Sequence, residues 1–178
     1  MQTAQLLKTA AALALATPML SMAESRLVVG NGNAAANLAF RVVIPRVLFL
    51  GVGTGQATLS TNTTVDLVTF DYSANPQAVG TGSGGTATGN VVPVRVLGNN
   101  GTIALTAGVT GALSNGAGDT IPWTQITATT SVDELPSPAI PLTGTSAAAN
   151  VTPTLGTKVT DRSANWTFRY ANHTVVPA

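Results

Sequence analysis

Apolar side chains recur at every second position along this chain, in short runs cut by Gly, Pro and Asn. That is the period of strands, and no sustained helical period follows Glu24. The strongest run covers residues 37–50, with Leu38, Phe40, Val42, Val43, Ile44, Val47, Leu48, Phe49 and Leu50. Pro45 interrupts it. Proline removes a ladder donor, so an edge position, a bulge or a strand switch is expected there, with Arg46 leaving the core. Further strands are predicted over residues 56–60, 64–72, 91–97, 102–107, 120–129, 151–159 and 165–171. A short apolar stretch, residues 26–32, precedes them and closes on Gly30-Asn31-Gly32, and a last strand has little room from Thr174.

Turn chemistry separates these runs. Gly98-Asn99-Asn100-Gly101 predicts a hairpin between the strands on either side. Asn115-Gly116 and residues 161–163 mark further turns, and Gly51 to Gly55 reads as a Gly-rich connection. Residues 73–90 hold almost no large apolar group and read as a mobile surface loop; residues 131–149 read as loop with an extended, Pro-rich backbone. Trp166, Phe168 and Tyr170 fall on one strand face and are assigned to the core. The expected fold class is all-β, an antiparallel immunoglobulin-like or pilin-like β-sandwich of seven to eight strands.

The first residues read differently. Lys8, an apolar run over residues 9–20 and the small-x-small Ser21-Met22-Ala23 form the layout of a secretory signal peptide over residues 1–23. The run is about half the roughly 20 residues that span a bilayer, and Pro18 lies near its end. The expectation is export to the periplasm, cell surface or medium, with one β-sandwich domain over residues 24–178 and no membrane span after signal removal. Without Lys8, seven basic residues face seven acidic ones. A formal charge of zero gives no long-range field for nucleic acid. Polar coverage then falls to Thr, Ser, Asn and backbone, a surface that tolerates close neighbours.

Chemistry is sparse. The chain has no cysteine, which excludes thiol, cysteine-bound haem and iron–sulfur chemistry. Its one histidine, His173, sits beside Asn172 without a framing acid or a nucleophile elbow. Asp66 and Asp71 are five apart, Asp133 and Glu134 are adjacent, and neither pair shares a face of a regular strand. Gly51 to Gly55 lacks the Lys-Ser/Thr of a phosphate loop, and the spacing of Pro138 and Pro141 lacks the basic neighbour of a polyproline ligand. Asn62, Asn150, Asn165 and Asn172 begin glycosylation sequons, which matter only in a host with that pathway. No catalytic, cofactor-binding or metal residue is assigned, and the chain is not read as an enzyme.

The run from Asn37 to Gly53, residues 93–99, Asp119-Thr120-Ile121-Pro122-Trp123 and Trp166-Thr167-Phe168-Arg169-Tyr170-Ala171-Asn172 together resemble a family of small secreted β-sandwich proteins of Gram-negative bacteria, loosely pilin-like. The resemblance implies a compartment and a fold, and carries over no catalytic residue. It also implies a final strand of the Val-Thr-Tyr-Thr-Ala-Ser type where this sequence reads Pro177-Ala178. An edge is therefore expected to be bare near residues 165–171, covered by residues 26–30 of the same chain or of a neighbour, or left uncovered in a defective product. The expected function is a secreted structural or protein-interaction subunit, fimbria-like or at the cell surface. Its partner is a second copy or another surface protein, met through an edge strand. The alternative is a carbohydrate- or small-ligand-binding module using Trp123 and Tyr72 beside the 73–90 loop.

Export predicts a mature chain of 155 residues starting at Glu24. Intact-mass measurement of the secreted product checks it, and a mass that includes residues 1–23 rejects the cleavage site.

Overall fold

The computed structural model describes residues 25–114 and 116–173. The signal segment, Asn115 and the strand expected from Thr174 lie outside the described residues. The chain divides at Ile44 and Pro45 into two units. In the first, residues 25–44 hold no helix or strand, and the apolar side chains from Leu38 to Ile44 are exposed. The strongest strand signal thus yields a strand only beyond Pro45. Proline supplies no ladder donor and pushes the preceding residue toward an extended backbone.

The second unit is all-β and antiparallel. Its strands are β1 (Leu48–Val52), β2 (Thr69–Asp71), β3 (Thr86–Thr88), β4 (Val91–Gly98), β5 (Ile103–Leu105) and β6 (Gly108–Val109). There follow β7 (Leu113–Ser114), β8 (Thr120–Ile121), β9 (Ile126–Thr130), β10 (Gly144–Thr145), β11 (Ala149–Val151) and β12 (Thr160–Tyr170). Four of them form one sheet in the order β1-β4-β12-β9. The others pair as two-stranded ladders, β10 with β6, β11 with β5, β2 with β3 and β7 with β8.

Alternation along β4 builds the core. Val92, Val94 and Val96 are buried on one face, while Val91 and Pro93 stand exposed on the other. Across the ladder, Trp166 lies opposite Val92 and Ala164 opposite Val94. Leu105 of β5, Val151 of β11 and Leu135 pack into the same cluster, with Ile103, Val132 and Phe168 at its margin. The Trp166 indole N–H donates to Leu135 O at 3.3 Å, so its polar atom is satisfied inside the core. Pro93 is tolerated in an interior strand because its missing donor faces the end of β1, where the Gly53 N–H donates to Pro93 O at 2.8 Å.

Residues 56–60 form turns and bends where a strand is expected, and residues 152–159 hold only an isolated bridge between Leu155 and Val159. Four further expectations need correction. Gly98 to Gly101 does not close a hairpin onto β4. The Asn99 amide is engaged with Pro45 and Val47, the Gly101 N–H with Lys158 O, and β5 pairs with β11. Residues 161–163 are not a turn but lie within β12, where Asp161 and Ser163 face outward and Arg162 donates to Thr152 O. The 64–72 strand shrinks to Thr69–Asp71, leaving Val65 and Leu67 exposed, because Asp66 is drawn to Thr54 instead of a ladder. The bare edge expected at residues 165–171 is absent: β12 pairs with β4 along one side and with β9 along the other.

Trp166 is 7% exposed at the centre of this cluster. Trp166→Ala is expected to cost about 3–5 kcal/mol, a large share of the stability of a domain this size. Denaturant titration measures it, and a loss near zero would remove Trp166 from the core.

Candidate functional site

The sheet has two edges, β1 and β9, of opposite character. β9 carries Thr127, Thr129 and Thr130, while β1 carries Leu48, Leu50 and Val52. Register decides where the β1 side chains point. Leu50 lies opposite Val96 and Val52 opposite Val94, so Leu48, Leu50 and Val52 continue the core face. Yet they are 71%, 51% and 48% exposed, against complete burial of Val94 and Val96. The core face therefore runs past its cover at this edge.

The backbone of β1 is open in the same place. Val47 bonds toward the end of β4 through Asn99, and Gly53 bonds to Pro93. The odd-numbered residues between them consequently face β4, and the amides and carbonyls of Leu48, Leu50 and Val52 face outward. Among the described residues no backbone group pairs with that outer side.

Asn99 fixes the approach to β1. Its Nδ2 donates to Pro45 O at 2.8 Å, and its Oδ1 accepts from the Val47 N–H at 2.8 Å. One amide bonding a carbonyl and the N–H two residues on imitates a neighbouring strand, so residues 45–47 are held extended in line with β1. Beside them lies a groove of about 340 Å³ lined by Arg46, Val47, Leu48, Gly98, Ile103 and Ala104, among others.

A second, aromatic groove of about 270 Å³ lies at the other end of β12, between Phe70, Tyr72, Tyr170, Ile126, Ile121 and Leu113. Tyr72 meets Tyr170 edge-on at 83°, and Phe70 meets it at 42°, both with ring centroids 6.2 Å apart. Burial, with Tyr72 adding to it, raises the Tyr170 pKa above the usual phenol value. Trp123 lies apart from these rings, its indole N–H donating to Gly111 O at 2.6 Å. Tyr72 and Trp123, the carbohydrate candidates, are thus half-buried and separately engaged, and none of the paired rings stacks in parallel.

The 73–90 segment beside this groove is not the free loop its composition suggested. It contains a 3-10 turn at Pro76–Ala78 and strand β3. Asn172, fully buried at a φ of 55°, threads it. The Asn172 Nδ2 donates to Ala78 O at 2.7 Å and Ser83 O at 3.0 Å, and its Oδ1 accepts from the Gly80 N–H at 2.8 Å. The Gly82 N–H donates to Asn172 O at 3.1 Å. An amide engaged in this way is closed to glycosylation.

The titratable residues are dispersed. His173 is exposed, and its backbone N–H donates to Gln125 Oε1. Asp71 accepts from the hydroxyl and amide of Ser73, which hold its carboxyl below the usual value. Arg95 grips Asp161 with two bonds of 3.0 Å on the sheet face away from the core, depressing the Asp161 pKa and raising that of Arg95. Asp66 accepts from the Thr54 N–H and hydroxyl and closes the Gly51 to Gly55 turn as a connection. Pro138 is buried rather than presented. Among the described residues no three of His, Cys, Asp and Glu gather as metal ligands, and no helix is long and apolar enough to cross a membrane.

No family profile, curated protein or solved structure matches this chain. The features that stand out are the open β1 edge and the Asn172 lock. Leu48 and Leu50 were legible in the apolar run, but Val52 falls within the Gly51 to Gly55 stretch that reads as a connection rather than a strand, and the exposure of all three was not visible. Asn172 was visible only as a sequon, because its partners lie about ninety positions away.

Asn172→Ala removes three side-chain bonds from a buried position. Each polar group left unpaired costs about 1–3 kcal/mol, so the loop is expected to loosen while the central ladder holds. Hydrogen exchange reads this directly: the Gly80 amide loses protection and those of Val94 and Val96 keep theirs. Unchanged Gly80 protection would refute the lock.

Proposed function

We propose that this chain is an exported structural or protein-interaction subunit that performs no catalysis and associates through strand β1. The observation that carries this reading is the β1 edge. Its core-side row, Leu48, Leu50 and Val52, is about half exposed or more, and among the described residues the outward backbone groups of that row have no backbone partner. Soluble chains blunt such edges with charge, proline or cover; between Leu48 and Val52 the β1 row carries neither charge nor proline, and residues 59–64 border it without pairing to its backbone. Low charge supports the same reading, since β1 itself, Leu48–Val52, carries no charged residue.

A sandwich fits this role, with the β5–β11 ladder, whose Leu105 and Val151 join the core cluster, as a second layer that leaves the β1 row about half exposed or more. A neighbour's strand there would bury the row and satisfy its backbone at once, as in strand addition. Placement in the periplasm, at the cell surface or in a fimbria-like assembly rests on the signal pattern over residues 1–23 and on the resemblance to small secreted β-sandwich proteins.

Light scattering of the mature chain across concentration tests the reading. The expected result is mass that rises with concentration. Leu50→Lys places a charge on the edge and is expected to raise the midpoint of association about tenfold or more, equivalent to ~1.4 kcal/mol or above. Circular dichroism of the variant should match the parent. A parent that stays monomeric throughout, or a Leu50→Lys variant that associates equally well, would reject β1 as the contact.

A further inference from the structure

We infer that the strand seated on the β1 edge is residues 38–44 of a second copy of this chain, paired antiparallel about a two-fold axis through Pro45. This rests on the edge-association reading and goes beyond it by naming the occupant and the register.

The segment has the chemistry of a strand and lacks a ladder among the described residues. Leu38, Phe40, Val42 and Ile44 alternate along it, and all are exposed, Phe40 at 85%. Residues 38–44 carry no strand assignment. Asn99 holds residues 45–47 extended with its two 2.8 Å bonds, the backbone that antiparallel pairing with a second copy about Pro45 requires.

The register follows from three constraints. First, the outward backbone groups of β1 belong to Leu48, Leu50 and Val52, so these must meet bonding residues of the incoming strand. Second, the incoming residues that share the core face must be the apolar ones. Pairing about Pro45 sets Val42 opposite Leu48, Phe40 opposite Leu50 and Leu38 opposite Val52. A slip of one residue would instead bring Arg41 onto the apolar row. Third, the axis must suit proline. Odd positions turn away from the new ladder, so Pro45 meets its symmetry mate at a non-bonded pair, where its missing N–H costs nothing. Moving the axis to Arg46 would oppose two arginines, and moving it to Ile44 would set Ala36 against Val52. In the Pro45 register Arg41 faces Phe49 and Arg46 faces Ile44, so no like charges stand directly opposed. The contact is isologous: each copy gives one strand and receives one, which closes a dimer.

The chain has no cysteine, so engineered pairs report the register cleanly. Full-length mature chain carrying Val42→Cys is mixed with chain carrying Leu48→Cys and oxidised. The expected cross-link forms in the mixture and in neither variant alone, because like positions lie about six residues, or ~20 Å, apart in this register. Phe40→Asp provides a second reading without oxidation. It leaves β1 unaltered and is expected to weaken association about tenfold or more, or ~1.4 kcal/mol. If the parent associates but Leu48→Cys with Val52→Cys cross-links in preference, β1 is pairing with β1, and the 38–44 assignment falls while the edge reading stands. Association that Phe40→Asp leaves untouched overturns the assignment in the same way. A parent and variants that all remain monomeric overturn both.

Discussion

The pairing of β4 with β12 is the constraint on which the rest of the structure depends. Eight residue pairs, from Thr160 with Gly98 to Thr167 with Val91, hold the two strands in a single register. That register sets Val92, Val94, Val96, Ala164 and Trp166 on one face and the Arg95–Asp161 pair on the other. A slip by one residue would turn the valines to solvent and bring Arg95 into the core, so the register is strongly specified. Everything else attaches to this ladder. β9 and β1 flank it, Leu105, Leu135 and Val151 cap its apolar face, and Asn172 beyond the end of β12 gathers residues 78–83.

A sheet ordered this way leaves two edges, and their chemistry differs because their sequences do. β9 reads Ile-Thr-Ala-Thr-Thr, so its margin is polar and short-chained. β1 reads Leu-Phe-Leu-Gly-Val, which suits a strand enclosed on both sides. Enclosure is incomplete there because the β5–β11 ladder spends its buried side chains, Leu105 and Val151, over the valines of β4. Nothing in the proposed role requires an active site. What it requires is a rigid ladder that presents an apolar edge in one fixed register, and the Asn99 clamp on residues 45–47 supplies the alignment.

Those features were unequally legible in the sequence. Strict alternation made β4 and the aromatic part of β12 visible, since Val92, Val94 and Val96, like Trp166, Phe168 and Tyr170, declare a period of two. The all-β class followed from the same pattern. The polar half of β12 was missed because Asp161, Arg162 and Ser163 resemble a turn until Arg95 is set within reach of Asp161. The hairpin at Gly98 to Gly101 was a local inference overridden by distant bonds to Pro45, Val47 and Lys158. The Asn172 lock was hidden for a similar reason: a single asparagine has no periodicity, and its three partners depend on the chain returning across the whole fold. Short-range patterns disclosed what alternation builds, while single polar side chains acting over long separations became visible only in three dimensions.

The stretch from Leu38 to Val52 departs most from its own sequence, and the departure carries meaning. Its hydrophobic alternation runs unbroken through Leu38, Phe40, Val42 and Ile44 on one side of Pro45 and resumes at Leu48, Leu50 and Val52 on the other. The fold uses only the second half as a strand, and even there the core-side row stays exposed. A strand pattern kept without a ladder among the described residues is a local preference in conflict with the tertiary structure, and such conflicts concentrate at functional positions. The conflict disappears under the proposed pairing. Residues 38–44 then gain a ladder, β1 gains cover, and Pro45 falls at the one kind of position in an antiparallel pair that asks no donor of it. The exposed segment and the exposed edge thereby become two halves of one interface, and a single external partner of the right register accounts for both.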